Sequence, residues 1–92
     1  MYNYVYSLLN KTDYKILKDY YLADNLYLDM DVYIVDKCTY RIVKYGNICN
    51  INGNVISLLI KNKYTLHVNK DDYYFFIKPS NKLLYQYLLN QL

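Results

Sequence analysis

The chain has 92 residues, of which 54% are hydrophobic and 21% charged, and its formal net charge is +3 at pH 7. This length predicts one domain, residues 1–92, and the apolar fraction excludes a disordered chain. No stretch approaches the roughly 20 apolar residues that span a bilayer, and the N-terminus lacks the basic start and apolar run of a secretory signal. The sequence therefore predicts a cytoplasmic protein without a membrane partner.

Residue usage is skewed towards residues with AT-rich codons. The chain contains fifteen Tyr, eleven Asn and ten Lys, but one Arg, one Ala and one Pro. This usage indicates an AT-rich genome, such as that of a low-GC bacterium, its phage, an archaeal virus or a large DNA virus. It also accounts for the preference of Lys over Arg without reference to function.

The first quarter of the chain predicts a strand and then a helix. Residues 2–9 alternate Tyr with other residues, which is strand periodicity, although a helical turn at Leu8-Leu9 is an alternative. Thr12 or Asp13 offers an N-cap, and apolar residues at helical spacing extend the predicted helix to about Ala23.

The middle of the chain predicts two hairpins. Residues 26–35 alternate as a strand, and a turn at residues 36–39 would return the chain with Asp31 opposite Lys44. Asn52-Gly53 is the strongest hairpin signal. We expect a three-residue turn there, with Gly53 left-handed and Ile48 opposite Ile56, and a two-residue turn is the alternative.

Residues 64–78 predict a third hairpin. A four-residue loop at residues 69–72 would place Leu66 opposite Phe75, in a register of aromatic and aliphatic cross-strand pairs. Pro79 then ends the strand, and Ser80 is a good N-cap for a C-terminal helix.

This order of elements predicts an α+β fold. Consecutive antiparallel strands usually neighbour one another. We therefore expect a mainly antiparallel β-meander, as a curled sheet or small open barrel of about six to seven strands, with one helix in the N-terminal half and a C-terminal helix.

The sequence contains few residues and no motif typical of a catalytic site. His67 is the single histidine and is expected to have a structural role, while Cys38 and Cys49 lack disulfide or metal-type spacing and are expected to be buried or half-buried thiols. The sequence contains no phosphate loop, zinc pattern or nucleophile elbow. We therefore predict a protein that is not an enzyme, with no catalytic residues, no metal site and no cofactor.

Lysines predict a basic site at one end of the sheet. In the third hairpin Lys63 would lie opposite Lys78, with Lys61 beside them and Lys82 in the first turn of the last helix. Backbone amides at a helix N-terminus also favour anions. Contact with phosphate or nucleic acid is one interpretation, and ordinary solvation of loop lysines is the other.

Apolar residues occupy both faces of the predicted sheet. Antiparallel sheets usually leave one face polar, so either the two helices cover both faces or one face is an interface. The candidate interface residues are Ile56, Leu58, Tyr74 and Phe76 on one face and Tyr2, Tyr4 and Tyr6 at a tyrosine-rich edge.

These observations favour a non-catalytic binding protein. The leading hypothesis is a small viral or phage accessory factor that acts in the host cytoplasm by protein–protein interaction, for example by inhibiting a host factor or defence system, or by forming a homodimer. The alternative is a nucleic-acid-binding domain that uses the lysine cluster.

Overall fold

The computed structural model describes residues 4–78, which form two short helices and six strands. The elements in chain order are α1 (Val5–Leu8), α2 (Lys11–Leu17), β1 (Tyr21–Leu22), β2 (Asp31–Asp36), β3 (Ile42–Asn52), β4 (Val55–Ile60), β5 (Tyr64–Asn69) and β6 (Tyr73–Ile77). A 3₁₀ turn, Lys70–Asp72, links β5 to β6.

The helices begin and end earlier than the sequence predicts. The side chain of Asn10 accepts a hydrogen bond from the Asp13 amide at 2.8 Å, so Asn10 is the N-cap of α2 rather than Thr12 or Asp13. The helix ends at Leu17 instead of Ala23, because the chain then turns to pair β1 with β6. The strand predicted over residues 2–9 is wrong where it overlaps α1.

All neighbouring strands are antiparallel, and their order in the sheet is β1-β6-β2-β3-β4-β5. The long strand β3 belongs to both halves of this sheet. Residues 42–47 pair with β2 and residues 47–52 pair with β4, so that Asn47 lies opposite both Asp31 and Leu59. The strand therefore joins two smaller sheets into one.

The sheet is open and strongly curled. Three strands separate β5 from β6, which corresponds to about 19 Å in a flat sheet with a strand spacing near 4.8 Å. A three-residue 3₁₀ turn joins the two strands, and such a turn rises only about 2 Å per residue. The sheet must therefore bend to bring β5 towards β6.

The curl creates two hydrophobic cores. The inner core lies on the concave face, and its buried members are Met30, Val32, Ile34, Ile48, Ile56, Leu58, Ile60, Val68, Phe75 and Ile77. The outer core lies between the helices and the opposite face of β2 and β6, and its buried members are Val5, Leu9, Leu17, Val35 and Phe76.

The predicted hairpin between β5 and β6 is wrong. Strand β6 pairs with β2 and β1, and β5 pairs with β4. Insertion beside β2 places Phe75 opposite Ile34 in the inner core and Phe76 opposite Tyr33 on the side covered by the helices. Both phenylalanines are thereby buried, on opposite faces of the sheet.

The first predicted hairpin register is also wrong, by three residues. Lys44 lies opposite Ile34 rather than Asp31. The Asp36 carboxylate accepts hydrogen bonds from the backbone amides of Cys38 and Thr39, at 2.7 and 3.1 Å, and this side-chain cap supports a longer turn.

Two further boundaries differ from the expected ones. The strand predicted from residue 26 begins only at Asp31, because Asp29 adopts a left-handed φ of 67°. Gly53 is left-handed as predicted, with φ 60°. However, Asn52 pairs with Val55, and a register shift around residue 49 places Ile48 opposite Leu58.

At the level of class, the predicted antiparallel α+β fold is confirmed as a small single-domain sheet of six strands with two short helices. The predicted C-terminal helix, with Lys82, lies outside the described residues. Between residues 4 and 78, no helix combines the length and apolar character needed to cross a membrane.

Candidate functional site

A cleft of about 430 Å³ lies beside the bend of β3. We call it the β3 cleft, and its lining residues are Asp31, Lys44, Tyr45, Gly46, Asn47, Leu59, Ile60, Lys61, Asn62 and Tyr64. Two lysines and two tyrosines thus line one cavity, although they come from β3, from β5 and from the turn between β4 and β5.

The turn between β4 and β5 carries Lys61 in an unusual backbone conformation. Lys61 and Asn62 have φ angles of 53° and 57°, and the amide of Lys63 donates to the Ile60 carbonyl at 2.9 Å. Two successive left-handed residues are typical of tight hairpin turns. The turn therefore holds Lys61 at the cleft wall, with Lys63 exposed beside it.

Gly46 lines the β3 cleft at a point where strands β3 and β4 lie unusually close together. A Cβ atom at this position would lie 2.7 Å from Cδ1 of Ile60 and 3.0 Å from the Leu59 carbonyl oxygen. A larger residue would force Ile60 to move and would press on the Leu59 carbonyl, so glycine suits the close approach of β3 and β4 where the pairing of β3 passes from β2 to β4.

Three tyrosine rings extend from the cleft across the outer face of the sheet. The ring centroids of Tyr33 and Tyr45 are 4.5 Å apart, and those of Tyr20 and Tyr33 are 5.3 Å apart. The ammonium of Lys78 lies 5.7 Å from the Tyr45 centroid. A hydrogen bond with Tyr45 raises the pKa of Lys78, with smaller contributions from Tyr20 and Asp31, so Lys78 is a cation at neutral pH.

The carboxylates of Asp29 and Asp31 partly offset the positive charge of the lysines near the cleft. The Asn47 side-chain amide donates to Asp29 at 3.2 Å and to Asp31 at 3.0 Å. These hydrogen bonds hold both carboxylates near the cleft wall. The four ammonium groups of Lys44, Lys61, Lys63 and Lys78 still outnumber them.

The predicted lysine cluster differs from the arrangement of lysines in the structure. Lys63 does not lie opposite Lys78, because β6 pairs with β2. Lys61 lines the β3 cleft, Lys78 approaches it through Tyr45, and Lys82 is outside the described residues. Sequence reasoning missed Lys44, since the incorrect register paired it with Asp31. The signal that would have found it is the side-chain cap at Asp36.

The predicted interface residues do not share one exposed face. Ile56 and Leu58 are buried in the inner core, whereas Phe76 is buried in the outer core. The chain itself therefore covers these three side chains.

The tyrosines of the predicted interface differ in how far they are buried and in what they contact. The Tyr6 hydroxyl donates to the Tyr20 carbonyl, and its ring packs edge-on against Phe76. Tyr4 is 61% exposed and meets the half-buried Tyr74 through a hydrogen bond. Tyr2 lies outside the described residues.

A second cleft, of about 410 Å³, lies where residues 22–27 approach the 3₁₀ turn. Its floor includes Ile51 and Phe75, and its charged lining residues are Asp24, Lys37, Lys70 and Asp71. The two lysines and two aspartates give this lining no net charge, which distinguishes the second cleft from the β3 cleft.

His67 and the cysteines lie on the surface. Nδ1 of His67 is 2.8 Å from the Ser57 hydroxyl on the neighbouring strand, and the Cys49 thiol donates to the Ser57 carbonyl at 3.4 Å. Both Cys38 and Cys49 are exposed, so their expected burial is wrong. Among residues 4–78, no three His, Cys, Asp or Glu side chains gather as a metal site.

Comparison of the chain with protein-family models, curated proteins and solved structures gives no match.

Proposed function

We propose that the protein is a non-catalytic binding protein and that its β3 cleft binds single-stranded nucleic acid. The observation that carries this proposal is the presence of Lys44, Lys61, Tyr45 and Tyr64 in the lining of one cleft. Lysines along a groove contact phosphates, and aromatic rings stack on unpaired bases.

Tyr64 supplies the stacking surface in this proposal. Its side chain is 47% exposed at the first position of β5, so a ring face is accessible to a base. Single strands present such bases without the cost of opening a duplex. Phosphates on either side would then lie within reach of Lys44 and Lys61, with Lys78 contributing a further cation beside Tyr45.

The geometry favours this function over the protein–protein interaction that the sequence ranks first. That ranking follows from the lack of catalytic motifs, the small domain and the many tyrosines. The apolar face named as its candidate contact is not exposed, because Ile56, Leu58 and Phe76 are buried within the chain. Contact with a host protein remains a second proposal. It is supported by apolar side chains exposed on and beside the helices, among them Tyr4, Leu8 and Tyr14. The viral or phage origin stays a prediction from residue usage.

Binding of a fluorescent oligothymidylate, measured by anisotropy at several salt concentrations, tests the proposal. Three phosphate contacts, from Lys44, Lys61 and Lys78, predict a slope of log K against log salt of about −2, since each contact with a single strand contributes about −0.7. The double variant Lys44→Gln/Lys61→Gln should bind more weakly and reduce the slope by about 1.4.

A matched control comes from the second cleft. Lys37→Gln/Lys70→Gln removes the same charge from the lining of that cleft and should leave affinity and slope close to those of the unmodified protein. Equal losses in both double variants would mean that only net charge matters. No binding by the unmodified protein at low salt would overturn the proposed function.

A further inference from the structure

Strand β5 has one unpaired edge. Its six residues pair with β4 on one side, and in the part of the chain that the structure describes no strand lies along the other side. The opposite edge of the sheet is β1, which has only two residues. A long free edge offers a row of backbone donors and acceptors to another strand, whereas a very short edge is protected.

The usual protective features are missing from β5 itself. The segment Tyr64–Asn69 contains no proline and no lysine, and its pairing with β4 continues through all six residues without a bulge. Natural edge strands are commonly blocked by such residues or by irregular backbone. The strand itself therefore does not prevent another strand from pairing with this edge.

The charges that flank β5 are of opposite sign. Lys61 and Lys63 precede the strand, and Lys70, Asp71 and Asp72, which together carry a net negative charge, follow it. An antiparallel arrangement of two such strands brings the basic flank of one towards the acidic flank of the other. A parallel arrangement would instead bring like charges together, which is unfavourable.

We propose that β5 pairs antiparallel with β5 of a second copy of this chain, which joins two sheets across a two-fold axis. A register centred on His67 keeps the alternation of faces, because it places Leu66 opposite Val68 of the second copy on the inner side. The same register sets Lys63 against Asp71 of the second copy. The pairing is isologous, and it closes at two copies.

This inference is independent of the nucleic-acid proposal. Of the β5 residues, only Tyr64 lines the β3 cleft, and the variants below leave it unchanged. Lys63, whose charge is reversed below, lies beside the cleft and not in its lining, and the dimer is read from molecular mass alone.

Light scattering coupled to size-exclusion chromatography at micromolar concentration tests the dimer. The expected mass is twice the 11.2 kDa of the single chain. His67→Lys should give a monomer, because two lysines would lie directly opposite each other at the centre of the pair. Asn50→Lys adds the same charge to β3, away from the free edge, and should remain dimeric; circular dichroism checks that both variants are folded.

Charge reversal tests the register. Lys63→Asp should weaken the dimer, and Lys63→Asp combined with Asp71→Lys should restore it, because the opposite charges then meet in the reversed order. A mass near 11.2 kDa for the unmodified protein in the same measurement would overturn the proposal. A dimer that persists in His67→Lys would overturn it as well, since the contact would then use another surface.

Discussion

The buried carboxylate of Asp13 accepts a hydrogen bond from Nε of Arg41 at 3.2 Å, and this ion pair ties α2 to the start of β3. The same carboxylate oxygen accepts a second hydrogen bond, from the Ile42 amide at 3.0 Å. The two contacts differ in environment, because the Arg41 side chain is 62% exposed and that of Asp13 only 9%. The hydrogen bond to the Ile42 amide is therefore expected to contribute more to stability than the ion pair with Arg41.

We predict that Asp13→Ala lowers the free energy of unfolding by about 1–3 kcal/mol, because it leaves the Ile42 amide without its acceptor. Arg41→Ala should cost only about 0–1 kcal/mol, as is usual for a partner exposed to solvent. Urea unfolding of both variants measures the difference. Equal costs would mean that the ion pair, rather than the backbone contact, carries the stabilisation.

Gly46→Ala should destabilise the protein by about 1–3 kcal/mol, since the added methyl group overlaps Ile60 and the Leu59 carbonyl. Ile60→Val removes the Cδ1 atom that lies closest to the new methyl group and costs about 0.5–1.5 kcal/mol alone. Thermal or urea unfolding of the double variant should show a smaller loss than the sum of the two single losses. Strict additivity would contradict the close approach of the strands.

Tyr64→Ala should weaken oligonucleotide binding by about 1–3 kcal/mol, the usual contribution of a base stacked on an aromatic ring. This corresponds to a roughly 5- to 150-fold increase in Kd, whereas the salt slope should change little because no phosphate contact is lost. Tyr14→Ala is the matched control, since Tyr14 has a similar exposed fraction, 45%, but lies on α2. Anisotropy titrations compare the two, and equal losses would remove Tyr64 from the binding site.

The cluster of Tyr4, Tyr40 and Tyr74 predicts loss of stability at high pH. A hydrogen bond with Tyr4, followed by burial and contact with Tyr40, raises the pKa of Tyr74 from 10.0 to about 12. The fold therefore favours the neutral hydroxyl. Its contribution to stability is complete below pH 10, the ordinary pKa of tyrosine in the unfolded chain, and is lost as the pH rises through about 12.

Tyrosinate absorbance and urea unfolding between pH 9 and pH 12 measure this effect. Tyr74→Phe should remove the titration step at the highest pH and should reduce the fall in stability over this range. Tyr4→Phe, which removes the hydrogen-bond partner, should lower the pKa of Tyr74. The step at the highest pH, which belongs to Tyr74, should move to lower pH in Tyr4→Phe, and an unmoved step would contradict the contact between the two hydroxyls.

The sequence predicts which residues form strands better than it predicts their partners. Val32, Ile34, Phe75 and Ile77 alternate in strands as expected, and all four are buried in the inner core. The partner of β6 could not be predicted, because β2 and β5 both present apolar side chains at period two. The choice depends on the helices, which bury Phe76 only when β6 lies beside β2.

Of the two lysines that line the β3 cleft, the sequence predicted Lys61 but not Lys44, because the position of Lys44 also depends on strand pairing. Lys61 follows from turn chemistry alone, since Lys61-Asn62 separates two clear strands. Lys44 depends on the register between β2 and β3, which the Asp36 side chain shifts by hydrogen bonds to two amides. A local side-chain cap of this kind leaves no trace in the hydrophobic pattern, so the register could not follow from that pattern alone and depended on the turn chemistry of Asp36.

The position of β6 between β1 and β2 also determines how the chain can fold. Val32 pairs with Ile77 and Tyr21 pairs with the same residue, although 45 and 56 positions separate them along the chain. The strands from β2 to β5 can pair as successive neighbours within microseconds, whereas both pairings of β6 join strands that are far apart along the chain. Such distant pairing is typical of domains that refold in milliseconds to seconds. The last strand described is therefore the one that should set the refolding rate.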